Sequence, residues 1–336
     1  MGLQNSTNLK DSHIIHFMRF GDHKLYVYLP RQEKFYSFSV FQDGQKFRFF
    51  RQKSICLDSG SVYLVGGQTA FPDRDQLGLS PKEKSSLSLH PTNFVCKINM
   101  KHHKNFRIDI STMKPCQALP EPRTSHLLVS SDQWIYVIGG SFVNNVPTQT
   151  CKKFHIKRKV WENISSINFA KNVTELEGLA IKNFIYVFDT SMQSKMPQIH
   201  RYITELDIWV EILFQQKNRM RSIPTSVISS VYQTNEDEIL IFSNEARNDE
   251  VVSKGFYYTF NTKTEEMSDI TIDENIVAIT NEKQANLKYT DSNDIFVQLN
   301  EQRIKLFKKS ENTWINRELT IDNNPTSDFG CCSRHR

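Results

Sequence analysis

The chain has 336 residues, with 42 Lys and Arg against 37 Asp and Glu, for a net charge of +5. Hydrophobic residues make up 38% and charged residues 24%, and mean hydropathy is −0.49. That composition excludes a disordered or collagen-like chain. No uncharged apolar run approaches the roughly 18 residues that a spanning helix needs. The basic excess is too small and too scattered to imply nucleic acid.

In chain order, residues 1–12 read as an N-terminal tail. Met1-Gly2-Leu3-Gln4-Asn5-Ser6 fits the N-myristoylation pattern, with Gly2 as the acceptor. The first ten residues lack an apolar core, so no secretory leader is expected. Six cysteines without a leader point to reduced thiols in the cytoplasm.

Six short apolar runs follow: Leu25-Tyr26-Val27-Tyr28, Val62-Tyr63-Leu64-Val65, Ile135-Tyr136-Val137-Ile138, Ile185-Tyr186-Val187-Phe188, Ile239-Leu240-Ile241-Phe242 and Ile295-Phe296-Val297. Each is rich in β-branched and aromatic residues and is bounded by polar turn residues, the pattern of a buried strand. In the first unit, strands are expected near 14–18, 25–29, 35–40 and 47–50. No helix of ordinary length is expected.

Two further marks recur. After each of the last four runs, an aromatic residue precedes a bulky apolar one by seven positions: Phe154 and Trp161, Tyr202 and Trp209, Phe260 and Met267, Phe307 and Trp314. A polar hairpin between them would put both side chains in one layer. Glycine pairs, Gly66-Gly67 and Gly139-Gly140, end the second and third runs, where close backbone approach or a left-handed turn is needed. The other units carry Leu29-Pro30, Asp189-Thr190, Ser243-Asn244 and Leu299-Asn300 there. A β-sandwich would not require the fixed aromatic spacing.

These residues resemble the kelch repeat, which has a hydrophobic strand, a double glycine and spaced aromatics in about 50 residues. The resemblance is strongest where Arg123, His126, Tyr136, Gly139, Gly140, Phe154 and Trp161 all fit. It implies an all-β fold, a six-bladed β-propeller over residues 13–320, each repeat forming one four-stranded blade. Approximate blade borders are 13–50, 51–120, 121–168, 169–218, 219–272 and 273–320. The segment 68–91 reads as a long insertion in the second unit, the length of loop that usually carries function.

Chemistry-bearing motifs are scarce. Gly-x-Ser-x-Gly and a phosphate-binding glycine loop are both missing from the sequence, and Asp58-Ser59-Gly60 reads as a hairpin turn. Cys96, His102, His103 and Cys116, with His90 nearby, match no zinc spacing. No cofactor and no metal is expected. The lysine-rich turns at 101–104, 152–153, 157–159 and 308–309 read as a solvated rim.

In kelch propellers, the segment leading into the innermost strand and the loop after the second strand open on one face that commonly binds peptides or proteins. On this chain the resemblance puts Arg51, Arg123, Lys171 and Arg221 at the lead-in positions, a cationic ring suited to an acidic segment. The alternative for Arg123 is a structural role within the repeat, because Pro-Arg belongs to the kelch pattern. The expected function is a non-enzymatic adaptor or scaffold, located in the cytoplasm, on the cytoskeleton or at a membrane periphery. A propeller enzyme acting on a carbohydrate or small molecule at the channel mouth is the alternative. In the tail 321–336, Cys331 and Cys332 beside Arg334 and Arg336 are palmitoylation candidates.

Overall fold

The computed structural model describes residues 15–18, 23–29, 34–42, 45–48, 52–57, 59–70, 89–102, 108–110, 113–143, 146–169, 176–189, 198–213, 226–247, 250–269, 271–272, 286–289, 295–299, 303–310 and 313–320. Among them there is no α-helix; the chain is all-β, built of consecutive antiparallel sheets.

The first sheet comprises β1 (Ile15–Met18), β2 (Lys24–Leu29) and β3 (Lys34–Ser39), followed by the short ribbon β4 (Phe41–Gln42) and β5 (Gln45–Lys46). The second sheet contains β6 (Lys53–Cys56) and β7 (Ser61–Val65). After the ribbon β8 (Gln68–Ala70) and β9 (Leu89–Pro91), it continues with β10 (Val95–His102), to which β11 (Ile108–Ile110) and β12 (Lys114–Pro115) both pair. The third sheet is β13 (Leu127–Ser131), β14 (Trp134–Ile138), β15 (Cys151–His155) and β16 (Val160–Ile164). The fourth is β17 (Leu176–Ile181), β18 (Phe184–Asp189), β19 (Ile199–Ile203) and β20 (Ile208–Ile212). The fifth holds β21 (Ser226–Asn235), β22 (Glu238–Arg247), β23 (Glu250–Asn261), β24 (Glu266–Met267) and β25 (Thr271–Ile272). The sixth is β26 (Asn286–Tyr289), β27 (Ile295–Leu299), β28 (Arg303–Ser310) and β29 (Thr313–Thr320).

The six apolar runs are the second strands β2, β7, β14, β18, β22 and β27. Their unbroken hydrophobicity has a packing cause. A strand covered on one face alternates, whereas one covered on both does not. Val62 and Leu64 of β7 pack with Leu25 and Val27 of the first sheet, while Tyr63 and Val65 pack with Ile135 and Val137 of the third. Tyr136 and Ile138 then meet Ile185 and Val187 of the fourth. Tyr186 and Phe188 in turn meet Ile239 and Ile241 of the fifth. The second, third and fourth sheets are therefore each sandwiched between their sequence neighbours by alternate residues of one strand. The first strands β6, β13, β17, β21 and β26 run beside one another in succession.

The aromatic spacing is explained at three of its four places. Phe154 lies opposite Trp161, Tyr202 opposite Trp209, and Phe260 opposite Met267. At the fourth place the two positions still share one face of the sheet by register, but as a diagonal and not a facing pair. Phe307 lies opposite Asn316, and Trp314 opposite Lys309. The last hairpin closes at Ser310 opposite Thr313, whereas the third sheet's hairpin closes at His155 opposite Val160. The tighter turn slips the register by two. Of the fourth strand expected over 47–50, residues 49 and 50 lie outside the described residues, while Phe47 and Arg48 are in no strand; Phe47 stacks on Phe94, just before β10, with ring centroids 4.9 Å apart.

The tryptophans do more than fill space. Trp161 Nε1 donates to Gln117 O across 3.0 Å, and Trp209 Nε1 to Ser165 O across 2.8 Å. Each acceptor lies in the linker that precedes the tryptophan's own sheet, so the indole fastens that sheet to the one before.

Candidate functional site

The clearest built feature lies where the glycine pairs meet the segment leading into β13. Gly66 and Gly67 have φ of 57° and 89°, and Gly139 and Gly140 of 60° and 95°. All four are in the left-handed region, where a Cβ is strained. Space forbids one too: at Gly66 it would lie 2.6 Å from Arg123 O, and at Gly140 2.6 Å from Thr124 O. The lead-in is thus clamped between two glycine corners. Gly67 N donates to Arg123 O at 2.9 Å, Arg123 N to Thr92 O at 3.3 Å, and Ser141 N to Thr124 O at 2.8 Å.

Arg123 organises the clamp from inside, with none of its side chain exposed. Nη1 donates to Gly139 O at 3.1 Å and Thr150 O at 3.0 Å, the two ends of the loop between β14 and β15. Nη2 donates to Thr150 Oγ1 at 3.0 Å and to Glu121 Oε2 at 2.6 Å. The Phe142 ring lies 5.4 Å from the guanidinium carbon. Burial pulls the Arg123 pKa down and Glu121 pushes it back up; an arginine keeps its charge under both. The other oxygen of Glu121 is 3.2 Å from Lys152 Nζ, itself buried and donating to Asn163 Oδ1 at 2.7 Å. One half-exposed carboxylate therefore sits on two buried cations.

His126 lies beneath this layer, fully buried, with no hydrogen-bond partner at either ring nitrogen. Burial holds it neutral, with its pKa well below the ordinary histidine value, and Lys53 and Arg123 push the same way. Above the layer, Pro122, Val143 and Val146 are exposed on the same loops. The arrangement presents a small apolar and acidic surface on a rigid base.

For the expected contact residues the outcome is divided. Arg123 is in the repeat-structural position that the kelch pattern left open: its donors are turned inward onto its own sheet, so it offers no free cation to a ligand. Arg51, Lys171 and Arg221 lie outside the described residues, as do Gly2, Cys331 and Cys332. Strand register bears on the idea of one repeated position. Lys53 pairs with Val65 as Leu127 pairs with Ile138, each partner just before a glycine pair. Counting back from there, the second unit's counterpart of Arg123 is position 49, a phenylalanine. The counterpart of His126 is Gln52, also buried, whose Nε2 donates to Gln68 O at 3.0 Å. Sequence reasoning missed Glu121, whose one signal was its sign alternation with Arg123 two residues on, and it read Lys152 as part of a solvated rim, whereas Lys152 is buried in β15.

Among the described residues no group of three or more His, Cys, Asp and Glu side chains is placed to hold a metal ion. No described helix is long and apolar enough to cross a membrane. No protein-family model matches the chain, and no curated protein is significantly similar to it.

Proposed function

We propose that the six sheets are the blades of a six-bladed β-propeller that works as a non-enzymatic protein-binding module, an adaptor or scaffold subunit. The propeller reading is supported by the sandwiching of the second, third and fourth sheets between their neighbours and by the side-by-side run of first strands from the second sheet to the sixth. The binding reading rests on one observation: the loop face that Arg123 holds rigid from below carries exposed Val143, Val146 and Pro122 above. A rigid base under variable loops is what a recognition surface needs. In this reading Arg51, Lys171 and Arg221 contribute by their place in the lead-in segments, and Arg123 supports them without touching the partner. The location proposed is cytoplasmic, with the cytoskeleton or a membrane periphery as the place of work. Acylation at Gly2, Cys331 and Cys332 is part of the membrane version of the proposal.

The test compares the chain with its Val143→Asp/Val146→Asp form as bait in native lysate, with bound proteins quantified. A partner lost with the double variant supports the loop face. Partners held equally by both would move the site elsewhere, and none above background would overturn the adaptor reading.

A further inference from the structure

The outer junction of the second and third sheets carries a charge pattern that the loop face does not explain. Lys97 of β10 and Lys114 of β12 are paired directly across the ladder. Like charges so placed repel, and facing positions ordinarily carry opposite charges. Lys97 lies 5.7 Å over the Tyr63 ring, and Lys114 is exposed. Nearby, the β15–β16 turn exposes Lys157, Arg158 and Lys159. The turn and the lysine pair are neighbours, because Cys116, two residues from Lys114, packs with Phe154, Ile156 and Trp161 on the hairpin that the turn closes. Arg158 and Lys153 are both engaged by Glu162, at 2.8 and 3.6 Å. Lys97, Lys114, Lys157 and Lys159 have no acidic partner among the described residues.

The next junctions show what this position holds elsewhere. Lys159, Asp207 and Glu265 occupy the same place in successive hairpin turns, each with positive φ. Asp207 Oδ1 accepts from Ser165 N at 2.8 Å and from Tyr202 OH at 2.7 Å, closing the junction of the third and fourth sheets. Glu265 is 2.7 Å from Arg201 of the fourth sheet. Of these three described turns, the one at the junction of the second and third sheets carries a cation. Phe154 stands there in place of Tyr202, and Gln117 in place of Ser165. Where the next two junctions carry a carboxylate paired within the chain, this one carries an exposed amine.

We infer that this outer junction is a docking surface for an acidic protein segment, whose carboxylates bridge the Lys97–Lys114 pair and the Lys157–Lys159 turn. Charge complementarity names the partner: four cations without an acidic partner among the described residues, beside one carboxylate, Glu162, that Arg158 and Lys153 already engage. A nucleic acid would also want an open aromatic for base stacking. Here the Trp134 ring is covered by Lys153 at 4.4 Å and Arg158 at 5.4 Å. The surface lies apart from Val143 and Val146 and does not rest on the loop-face reading.

The test is fluorescence anisotropy of a labelled oligoglutamate peptide with the full chain, at low and physiological salt. The expected result is saturable binding that weakens with salt. It falls by at least about tenfold in Lys97→Gln/Lys114→Gln/Lys157→Gln/Lys159→Gln and is unchanged in Val143→Asp/Val146→Asp. A urea midpoint equal to wild type shows that the quadruple variant is folded, and the exposed pair Lys114→Glu/Lys159→Glu repeats the test with fewer changes. Three results would overturn the proposal: no saturable binding, equal binding by the lysine variants, or tighter binding of an oligothymidylate of the same charge.

Discussion

Replacing Arg123 by Met separates a latch from a ligand-binding cation. The substitution keeps an unbranched apolar stem but removes four hydrogen bonds, to Gly139 O, Thr150 O, Thr150 Oγ1 and Glu121. The buried carbonyl of Gly139 loses its side-chain donor, at about 1–3 kcal/mol for an unsatisfied group, whereas Thr150 O keeps the donor Gly139 N at 3.2 Å. Glu121 keeps Lys152, which limits the charge imbalance. With the charge-assisted bond to half-exposed Glu121 at about 1.5–3 kcal/mol, the sum is about 3–5 kcal/mol. With a urea m-value of roughly 3 kcal/mol/M, the midpoint drops by about 1–1.7 M at unchanged m. Arg123→Lys keeps the charge but not the fork and should recover about half of the loss. If Arg123→Met stays within about 1 kcal/mol of wild type, the latch reasoning fails.

Other expectations follow from the same geometry. Gly140→Ala places a Cβ 2.6 Å from Thr124 O at φ 95° and should cost about 2–4 kcal/mol by urea unfolding; a cost below about 0.5 kcal/mol would remove the clamp from the account. His126 is held neutral in the folded state with its pKa well below 6.5, while the unfolded chain takes up the proton near that value. Stability is therefore full above about pH 6.5 and falls below it by up to about 1.4 kcal/mol per pH unit. His126→Gln should flatten that slope in part, since His200 is lowered too; an unchanged slope would contradict the assignment. Tyr202→Phe deletes the 2.7 Å bond to Asp207 and should cost about 1–2 kcal/mol, readable as a midpoint shift; no shift would show that the junction does not depend on it. Burial raises the Cys116 thiol pKa, and Lys159 and Lys97 draw it back down. Lys159→Glu should therefore slow alkylation of Cys116, followed by peptide mass spectrometry, and an unchanged rate would separate the turn from the thiol.

The strands were legible because their signal is local and physical. Runs such as Ile185-Tyr186-Val187-Phe188 are continuous because both faces of β18 are covered, by the third and the fifth sheets. The hairpin pairs Phe154–Trp161 and Tyr202–Trp209 were legible from spacing alone. Phe307 and Trp314 show the limit of that signal, because the same spacing is compatible with a tighter turn and a different register. The role of Arg123 was half legible. Pro-Arg marked the position, but the burial that turns a cation from ligand to latch comes from Gly139 and Thr150, distant in sequence. Lys97 facing Lys114 was invisible, since only the ladder brings them opposite each other.

The most direct test of the account is small-angle X-ray scattering of the full chain in dilute solution. Six blades around one axis predict a compact particle with a radius of gyration close to 20 Å, the scaling value for a single globular unit of this length. A radius several ångströms larger, with the long maximum dimension of an open row of sheets, would contradict the propeller and the loop face built upon it.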